Sequence, residues 1–551
     1  MSTTDVLPLH ADPHVHARRW RTLGVLCLSL TIVMIANLSL NLALPSIARD
    51  LEAGTGELQW MVDAYALVFA GLLFSAGTLG DRYGRKGALQ VGLVLFLVGS
   101  GIALLAQTAA VVVVARVVMG VAAAFVMPST LSIISNVFAP EERSRAIAVW
   151  AGVAAGGAAL GPVASGLLLE HFWWGSVFLL NVPLALAALV AGRWLVPTSR
   201  DPEQRPVDVP GALLSIVGVG ALVYAIIEAP EVGWAARETL AGLAVAVAGL
   251  GLFVWRELTA RHPMLDLALF RDRRFGVATA GIGLTYFTLF GSFFLTAQFL
   301  QLVLGLSPFE AGLVQMPVSL TMLVVAPQVP RFVDRYGPRA VIATGLLLVA
   351  MGMAVVTRFD EGTPAVVAAV AFVPTAVGIG ATGAPLTALM MAAVPPARAG
   401  MGSAMNNASR EVGGALGVAI LGTVLSARYG AALAPALAGL PADGAAAADG
   451  GLAGALDVAR DLPAAAGARL ADAARAAFVD GFTTAAGAAA VLGVAVAAGA
   501  WLLLPRREEA APGDETGAGT VAGEVEALDV LGLEDADGDG DVGVVGAGLS
   551  D

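Results

Sequence analysis

The chain has 551 residues, 57% hydrophobic and 13% charged, with a formal net charge of −12 and one cysteine, Cys27. A soluble globular protein carries about 25% charged residues, so water cannot solvate most of this chain, and a soluble enzyme or a nucleic-acid binder is excluded. A lone cysteine excludes an intramolecular disulfide. The acidity is local: Pro505–Asp551 holds thirteen acidic residues against Arg506 and Arg507, and so says nothing about ligands of the apolar part.

The N-terminus is polar through Arg21 and then apolar to Leu44. No small-residue cleavage site follows a short apolar core, so an uncleaved first span is expected. Apolar runs long enough to cross a bilayer follow near 22–45, 58–79, 88–107, 110–135, 146–169, 176–196, 211–228 and 237–256. Six more fall near 275–301, 309–329, 340–357, 364–393, 404–427 and 481–504. The twelfth is overlong and holds Pro374 and Pro385, which predicts a kink. Basic residues test this count of fourteen. With Arg18, Arg19 and Arg21 on the cytoplasmic side, alternate connections should be basic. They are: Arg82, Arg85 and Lys86; Arg143 and Arg145; Arg200 and Arg205; Arg261, Arg271, Arg273 and Arg274; Arg331, Arg335 and Arg339; Arg398. The alternation predicts a multi-pass protein of the cell membrane with both termini cytoplasmic.

Asp81-Arg82-Tyr83-Gly84 recurs as Asp334-Arg335-Tyr336-Gly337, after the second and tenth spans. Internal repeats build many secondary transporters. The repeat pairs spans one to six with nine to fourteen and leaves seven and eight as an insertion. The expected architecture is an all-α polytopic protein of two six-helix bundles plus two central helices. It divides into a cytoplasmic segment 1–20, a first bundle 21–197, the inserted pair with its loop 198–258 and a second bundle 259–504. The second bundle carries a long external loop near 428–480, and 505–551 is a disordered acidic tail.

The residues at this point resemble the major facilitator superfamily, in particular its fourteen-span drug:proton antiporter branch (EmrB/QacA type). The resemblance covers about 20–504. Gly77, Asp81, Arg82, Gly84, Arg85 and Lys86 resemble the loop motif, with Asp334, Arg335 and Gly337 as its second copy. Arg116 with Gly120 resembles the arginine motif of the fourth span. Gly152, Gly156, Gly157, Gly161, Pro162 and Gly166 resemble the fifth-span motif associated with antiporters. Asn41-Leu42-Ala43-Leu44-Pro45 and Asn181-Val182-Pro183 also look like this branch. The resemblance implies a major-facilitator fold, proton-driven export, and a cytoplasmic latch between the halves at the loop motif. One position departs: where many members carry an acid in the first span, this chain has Ala36 followed by Asn37, so polycationic cargo is not expected.

Three charged residues are candidates for proton coupling. Asp63 lies about five residues inside the second span, and Arg116 lies at similar depth in the fourth. A charge at the centre of a spanning helix costs at least about 2.5–3.5 kcal/mol, so partners are expected. Either the two form a fixed ion pair, or changing solvation lets Asp63 load and release a proton. Glu411, beside Arg410 in the thirteenth span, is a second proton or cargo site or only marks a helix entering the membrane. The fifth-span glycines provide a face for close helix approach, with Pro162 bending the helix. Asn37, Asn41, Tyr286, Phe290 and Gln298 are candidates to line an amphiphilic cavity, with lipid-facing aromatics as the plainer reading.

No Gly-x-x-x-x-Gly-Lys-Ser/Thr loop is present, so nucleotide hydrolysis is not expected to drive transport. No cofactor or metal is expected. Asp535–Asp541 begins like a calcium loop but has Gly546 where the bidentate Glu belongs. His10, His14 and His16 lack zinc-site spacing, and the sequon at Asn37 lies within a span. The reading is therefore a non-enzymatic, proton-coupled exporter of amphiphilic small molecules such as drugs or antibiotics, working as a monomer by alternating access. A same-fold importer or facilitator is the alternative, and a membrane sensor or enzyme fits less well.

Overall fold

In a hydrocarbon environment each backbone N–H and C=O must be satisfied within the segment, which leaves the helix as the default element for a chain this apolar. The structure, a computed structural model, describes residues 12–199, 208–260, 263, 265–394 and 399–504. The acidic tail, His10, Arg200, Arg205, Arg261 and Arg398 lie outside the described residues, as do the side chain of Asp81 and the surroundings of Gly152, Gly156 and Gly157. Each of the fourteen predicted spans coincides with a helical rod. These are α1 (Pro13–Asp50), α2 (Thr55–Tyr83), α3 (Arg85–Leu104), α4 (Ala109–Val137), α5 (Pro140–His171) and α6 (Ser176–Leu195). The middle rods are α7 (Val209–Val232), α8 (Arg237–Thr259), α9 (Arg273–Val303), α10 (Pro308–Tyr336) and α11 (Pro338–Val356). The last are α12 (Ala365–Ala392), α13 (Ala399–Leu437) and α14 (Ala464–Leu503). Twelve are long and apolar enough to cross a membrane among the described residues. The other two, α2 and α5, are 29 and 32 residues long.

Local chemistry sets the ends. Asp12, Asp208, Asp272 and Ser307 each accept a backbone N–H at a helix start, supplying partners that the first turn lacks. The expected kink in α12 is a break at Phe372, between Ala365–Ala371 and Val373–Ala392, with Pro374 in the first turn of the second piece. The connection expected over about 428–480 is shorter than expected. α13 runs to Leu437 and α14 begins at Ala464, and two short helices, Ala442–Asp449 and Leu452–Asp461, fill the interval. That stretch is rich in alanine, the strongest helix former, so hydropathy alone underestimated the rods.

The repeated turns are the same structure twice. Tyr83 and Tyr336 end their helices. Gly84 (φ 125°) and Gly337 (φ 81°) then reverse the chain directly into α3 and α11, a conformation that side chains rarely adopt. Gly84 N–H donates to Gly80 C=O (2.9 Å) and Gly337 N–H to Val333 C=O (2.8 Å). Arg82 lies 5.4 Å over the Tyr83 ring and Arg335 5.3 Å over the Tyr336 ring. Packing repeats as well: α1 meets α5 and α6, and α9 meets α13 and α14, while α2–α4 and α3–α4 answer to α10–α12 and α11–α12.

The two groups meet at two crossings, α2–α13 and α5–α10, and the cross-group hydrogen bonds of the described residues gather toward the α1–α2 turn. Gln59 Nε2 donates to the carbonyls of Val418 (3.2 Å) and Ala419 (3.1 Å). Thr55 donates through N–H and Oγ1 to Gly450 C=O, and Gln301 Nε2 to Leu42 C=O (2.9 Å). At α5–α10 the backbones nearly touch: a Cβ on Gly166 would stand 2.7 Å from the Pro308 carbonyl oxygen. The inserted α7 covers the other crossing. Its Val223 and Ile227 cluster with Ala66 and Leu67 of α2 and Ala415 and Ala419 of α13.

Gly166→Leu should therefore force this end apart. Val418→Cys is the reporter, since Val418 is buried and the native Cys27 is buried too. Gly166→Leu is expected to raise its labelling by a membrane-impermeant maleimide by about tenfold or more. An unchanged rate at equal insertion would show that the crossing does not hold this end shut.

Candidate functional site

Arg116 on α4 has no exposed surface. Its Nε donates to Met61 C=O of α2 and its Nη1 to Ala36 C=O of α1, both at 2.8 Å. The guanidinium lies 4.3 Å over the Tyr65 ring, a favourable cation–π arrangement when desolvated. Tyr65 O–H in turn donates to Val33 C=O (3.5 Å). One turn along α4, a Cβ on Gly120 would sit 2.7 Å from Tyr65 C=O, so the spacing of Arg116 and Gly120 is what lets α4 approach α2 closely enough for these bonds.

Asp63 is fully buried two residues before Tyr65, and neither carboxylate oxygen has a hydrogen-bond partner among the described residues. Of the two sequence readings, the fixed ion pair is not what the geometry holds: no ion pair joins Asp63 to Arg116 among the described residues. Arg116 is held by two carbonyls and an aromatic face instead, with its Nη2 unpartnered among the described residues. The acidic group acting on it is Glu411 of α13, 7% exposed, with Oε2 unpartnered among the described residues. Asn37 of α1 and the neighbouring Arg410 face the same carboxylate, and Arg410 lies 5.1 Å over the Tyr286 ring. The three charges thus divide into a group bridging the two halves, Arg116 and Glu411 with Asn37, and an isolated acid, Asp63.

The cavity candidates divide too. Asn37 faces Glu411 and half-buried Tyr286 faces Arg410. Asn41 is buried near them in sequence, on α1. Phe290 instead fills the notch left by Gly414 of α13, and Gln298 Nε2 turns back to Phe294 C=O of its own helix (3.3 Å). In the loop motif, Arg85 N–H donates to Ser199 C=O and Lys86 Nζ to Arg193 C=O, ties to the α6 end of the same half. Gly77 packs on Pro128 of α4, and Asp334 and Arg335 are exposed. In the fifth span, Gly161 lies against Ser39 and Ile35 of α1, Gly166 against α10, and the Pro162 carbonyl against Gly312. Sequence reasoning missed Tyr65, Gln59 and Gln301. The only signal for them was a tyrosine and two amides inside otherwise apolar spans.

The family description Major Facilitator Superfamily matches residues 26–418. The chain is 39% identical over 482 residues to the multidrug efflux pump LfrA of Mycolicibacterium smegmatis, covering 87% of this chain and 95% of that one. It is 32% identical over 493 residues to the tetracenomycin C resistance and export protein of Streptomyces glaucescens (88% and 92%). It is 34% identical over 502 residues to the methyl viologen resistance protein SmvA of Salmonella typhimurium (89% and 99%). In fold it is similar to a bacterial homologue of the human lysosomal transporter Spinster, solved inward-facing and unoccupied (TM-score 0.63, 18% identity, 90% and 97% covered).

Arg116→Lys keeps the charge but not the forked geometry or the flat stacking on Tyr65. Losing one of the two carbonyl bonds and the stacking is expected to cost about 1–3 kcal/mol. It should be read as a lowered apparent melting temperature in detergent by fluorescence-detected gel filtration. A lysine variant as stable as wild type would show that the guanidinium is not what joins α1, α2 and α4.

Proposed function

This chain belongs to the Major Facilitator Superfamily, and we propose that it is a proton-coupled antiporter exporting amphiphilic small molecules across the cytoplasmic membrane by alternating access. The observation that carries this reading is Asp63, a carboxylate with no exposed surface and no hydrogen-bond partner among the described residues, set in the same half as Arg116, whose Nε and Nη1 are held by backbone carbonyls. A bare buried carboxylate is costly, and a proton is the smallest partner that removes the cost. If water reaches Asp63 from one side in each of two conformations, the proton taken up on one side is released on the other. The efflux relatives support export as the direction.

The rest of the geometry fits this cycle. The end sealed by Gln59, Thr55, Gln301 and the Gly166–Pro308 approach carries Arg49, Arg237, Arg358, Arg428, Arg460, Arg469 and Arg475. The opposite end carries more basic residues, Arg18, Arg19, Arg21, Arg82, Arg85, Lys86, Arg271, Arg273, Arg274, Arg331, Arg335 and Arg339, so the positive-inside rule supports the sealed end as external. The conformation is then closed outward, both termini are cytoplasmic, and outward opening must break the Gln59 and Thr55 bonds. The loop motif would act as a latch only in the opposite state, and here Lys86 is engaged with the Arg193 carbonyl and Arg82 with the Tyr83 ring, both within their own half. Two six-helix bundles, 21–197 and 259–504, rock about the α2–α13 and α5–α10 crossings, while α7 shields one seam. Glu411, reaching Arg116 from the other bundle, senses that motion. A membrane potential supplies about 2.3 kcal/mol per charge per 100 mV, roughly a 40-fold gradient per charge at 1.4 kcal/mol per decade. The chain works without a cofactor, as a monomer, on cargo that partitions into the bilayer.

In everted vesicles, Asp63→Asn is expected to abolish export driven by an acid gradient while leaving the protein inserted, and an uncoupler should do the same to wild type. Acid-driven export by the asparagine variant would remove Asp63 from the coupling site.

Cargo charge follows from the same inventory. The first-span position that would pair with a second positive charge is Ala36, buried and spanned by the Arg116 bond, and Asp63 is committed to the proton. Neutral and monobasic antibiotics are therefore expected to be better cargo than the dication methyl viologen. In an efflux-deficient host the comparison is a set of inhibitory concentrations; protection against methyl viologen alone would reverse the assignment.

A further inference from the structure

A cleft of about 390 Å³ opens on the sealed end of the molecule, between pieces of the two halves. The first half contributes Arg49 and Asp50 from the end of α1, and Phe172 and Trp173 from the α5–α6 turn. Asp457 and Arg460 come from the second half, on the short helix Leu452–Asp461, which packs against α1 and α14. Polar groups make up most of the cleft surface, and its volume falls in the range of small-molecule sites. Its charged groups keep bonding capacity. Arg49 spends Nε on Pro45 C=O (3.2 Å) and Nη2 on Ser46 Oγ (3.4 Å), and neither bond uses Nη1. Arg460 Nη1 donates to Asp457 Oδ1 (2.6 Å), a bond that uses neither the arginine's Nε and Nη2 nor the acid's Oδ2. No ion pair reaches Arg49 or Asp50 among the described residues. Arg49, Asp50 and Arg460 are exposed, so their polar atoms are open to a ligand.

Two cations and two anions leave the cleft with no net charge, so it selects by arrangement. A lone anion meets the carboxylates of Asp50 and Asp457, and a lone cation meets the two arginines. Only a molecule carrying both signs is complementary. Phe172 and Trp173 set the level of the site. They are 59% and 52% exposed beside the ends of spanning helices, where aromatic side chains lie among the headgroups of a bilayer. We propose that the cleft holds the headgroup of a zwitterionic phospholipid, an ammonium-alkyl phosphate, from the leaflet on the sealed side. The guanidinium forks of Arg49 and Arg460 suit the phosphate oxygens, and the Asp50 carboxylate suits the ammonium. The acyl chains leave past Phe172 and Trp173 into the bilayer. Arg49 belongs to one half and Arg460 to the other, so the lipid bridges them beside the Thr55–Gly450 bond. It is then a ligand of the sealed conformation alone, and outward opening pulls the two arginines off one phosphate. The site rests on the bilayer placement of these helices and is independent of the antiporter reading.

The test is lipid retention by the full chain in detergent, titrated and read by native mass spectrometry. The probes are phosphatidylethanolamine, phosphatidylglycerol with the same acyl chains, and glycerophosphoethanolamine, the soluble headgroup without chains. Wild type is expected to hold phosphatidylethanolamine about tenfold or more tighter than either of the others. Arg49→Gln and Arg460→Gln should each weaken it by about tenfold, as for one lost charge-assisted hydrogen bond. Asp50→Asn should weaken phosphatidylethanolamine and leave phosphatidylglycerol unchanged. Arg358→Gln, at an exposed arginine of the same end that does not line the cleft, should change nothing. Equal retention of phosphatidylglycerol by wild type would overturn the zwitterion, and equal retention of the soluble headgroup would overturn the lipid source. Unchanged phosphatidylethanolamine affinity in both arginine variants would place the lipid elsewhere and sink the site. The bridge is read in liposomes with Val418→Cys. Replacing phosphatidylglycerol by phosphatidylethanolamine should slow its maleimide labelling severalfold, and Arg460→Gln should abolish the difference. Equal labelling rates in the two lipids would overturn the bridge.

Discussion

A full positive charge with no exposed surface constrains everything near it. Arg116 cannot be hydrated, and isolated burial of an ion is prohibitive, so α1 and α2 are placed to offer it the carbonyls of Ala36 and Met61, and Tyr65 offers its ring. Those bonds demand that α4 lie almost on α2, which in turn demands Gly120. The first half of the bundle is therefore rigid around one residue. It is also asymmetric in charge, because the carbonyls and the ring hold the arginine's Nε, Nη1 and flat face without using Asp63.

That rigidity contrasts with the contacts between halves. These are a few amide and hydroxyl bonds to backbone carbonyls, the Glu411 carboxylate facing Asn37 and Arg116, and two close crossings of small residues. Each bond is worth about 0.5–1.5 kcal/mol net, a scale that a proton or a cargo molecule can offset. Large cohesion within a half and modest cohesion between halves is the physical condition for rigid-body alternation. The helix α7 modifies it on one side only, packing over the α2–α13 seam and leaving α5–α10 without such a cover.

The duplicated turn shows why a repeat can conserve scaffold and diverge in chemistry. Gly84 and Gly337 sit in the same left-handed region, with the same capping bond and the same arginine over the same tyrosine. A reversal in one residue leaves no other solution for either half. The interior positions carry no such backbone constraint, and there the halves differ: Asp63 and Arg116 on one side, Glu411 on the other.

What the sequence determined by itself was everything governed by a one-dimensional rule. Hydropathy located the fourteen rods, since only a helix satisfies its backbone in an apolar run. The turn repeat exposed the duplication, and the glycines around Pro162 pointed to close helix approach. Hydropathy was silent on rods that continue beyond the apolar window, which is why α14 begins at Ala464, well before the expected edge. The partners of buried polar groups were decided only by tertiary structure. Asp63 and Arg116 share a depth, and depth suggested a pair, but side-chain direction sends Arg116 to carbonyls and Tyr65 and leaves the acid bare. Glu411 comes to Arg116 from hundreds of residues away, and Gln59 finds Val418 across the seam. Spacing along a helix fixes which face a residue occupies; it cannot say which helix that face will meet.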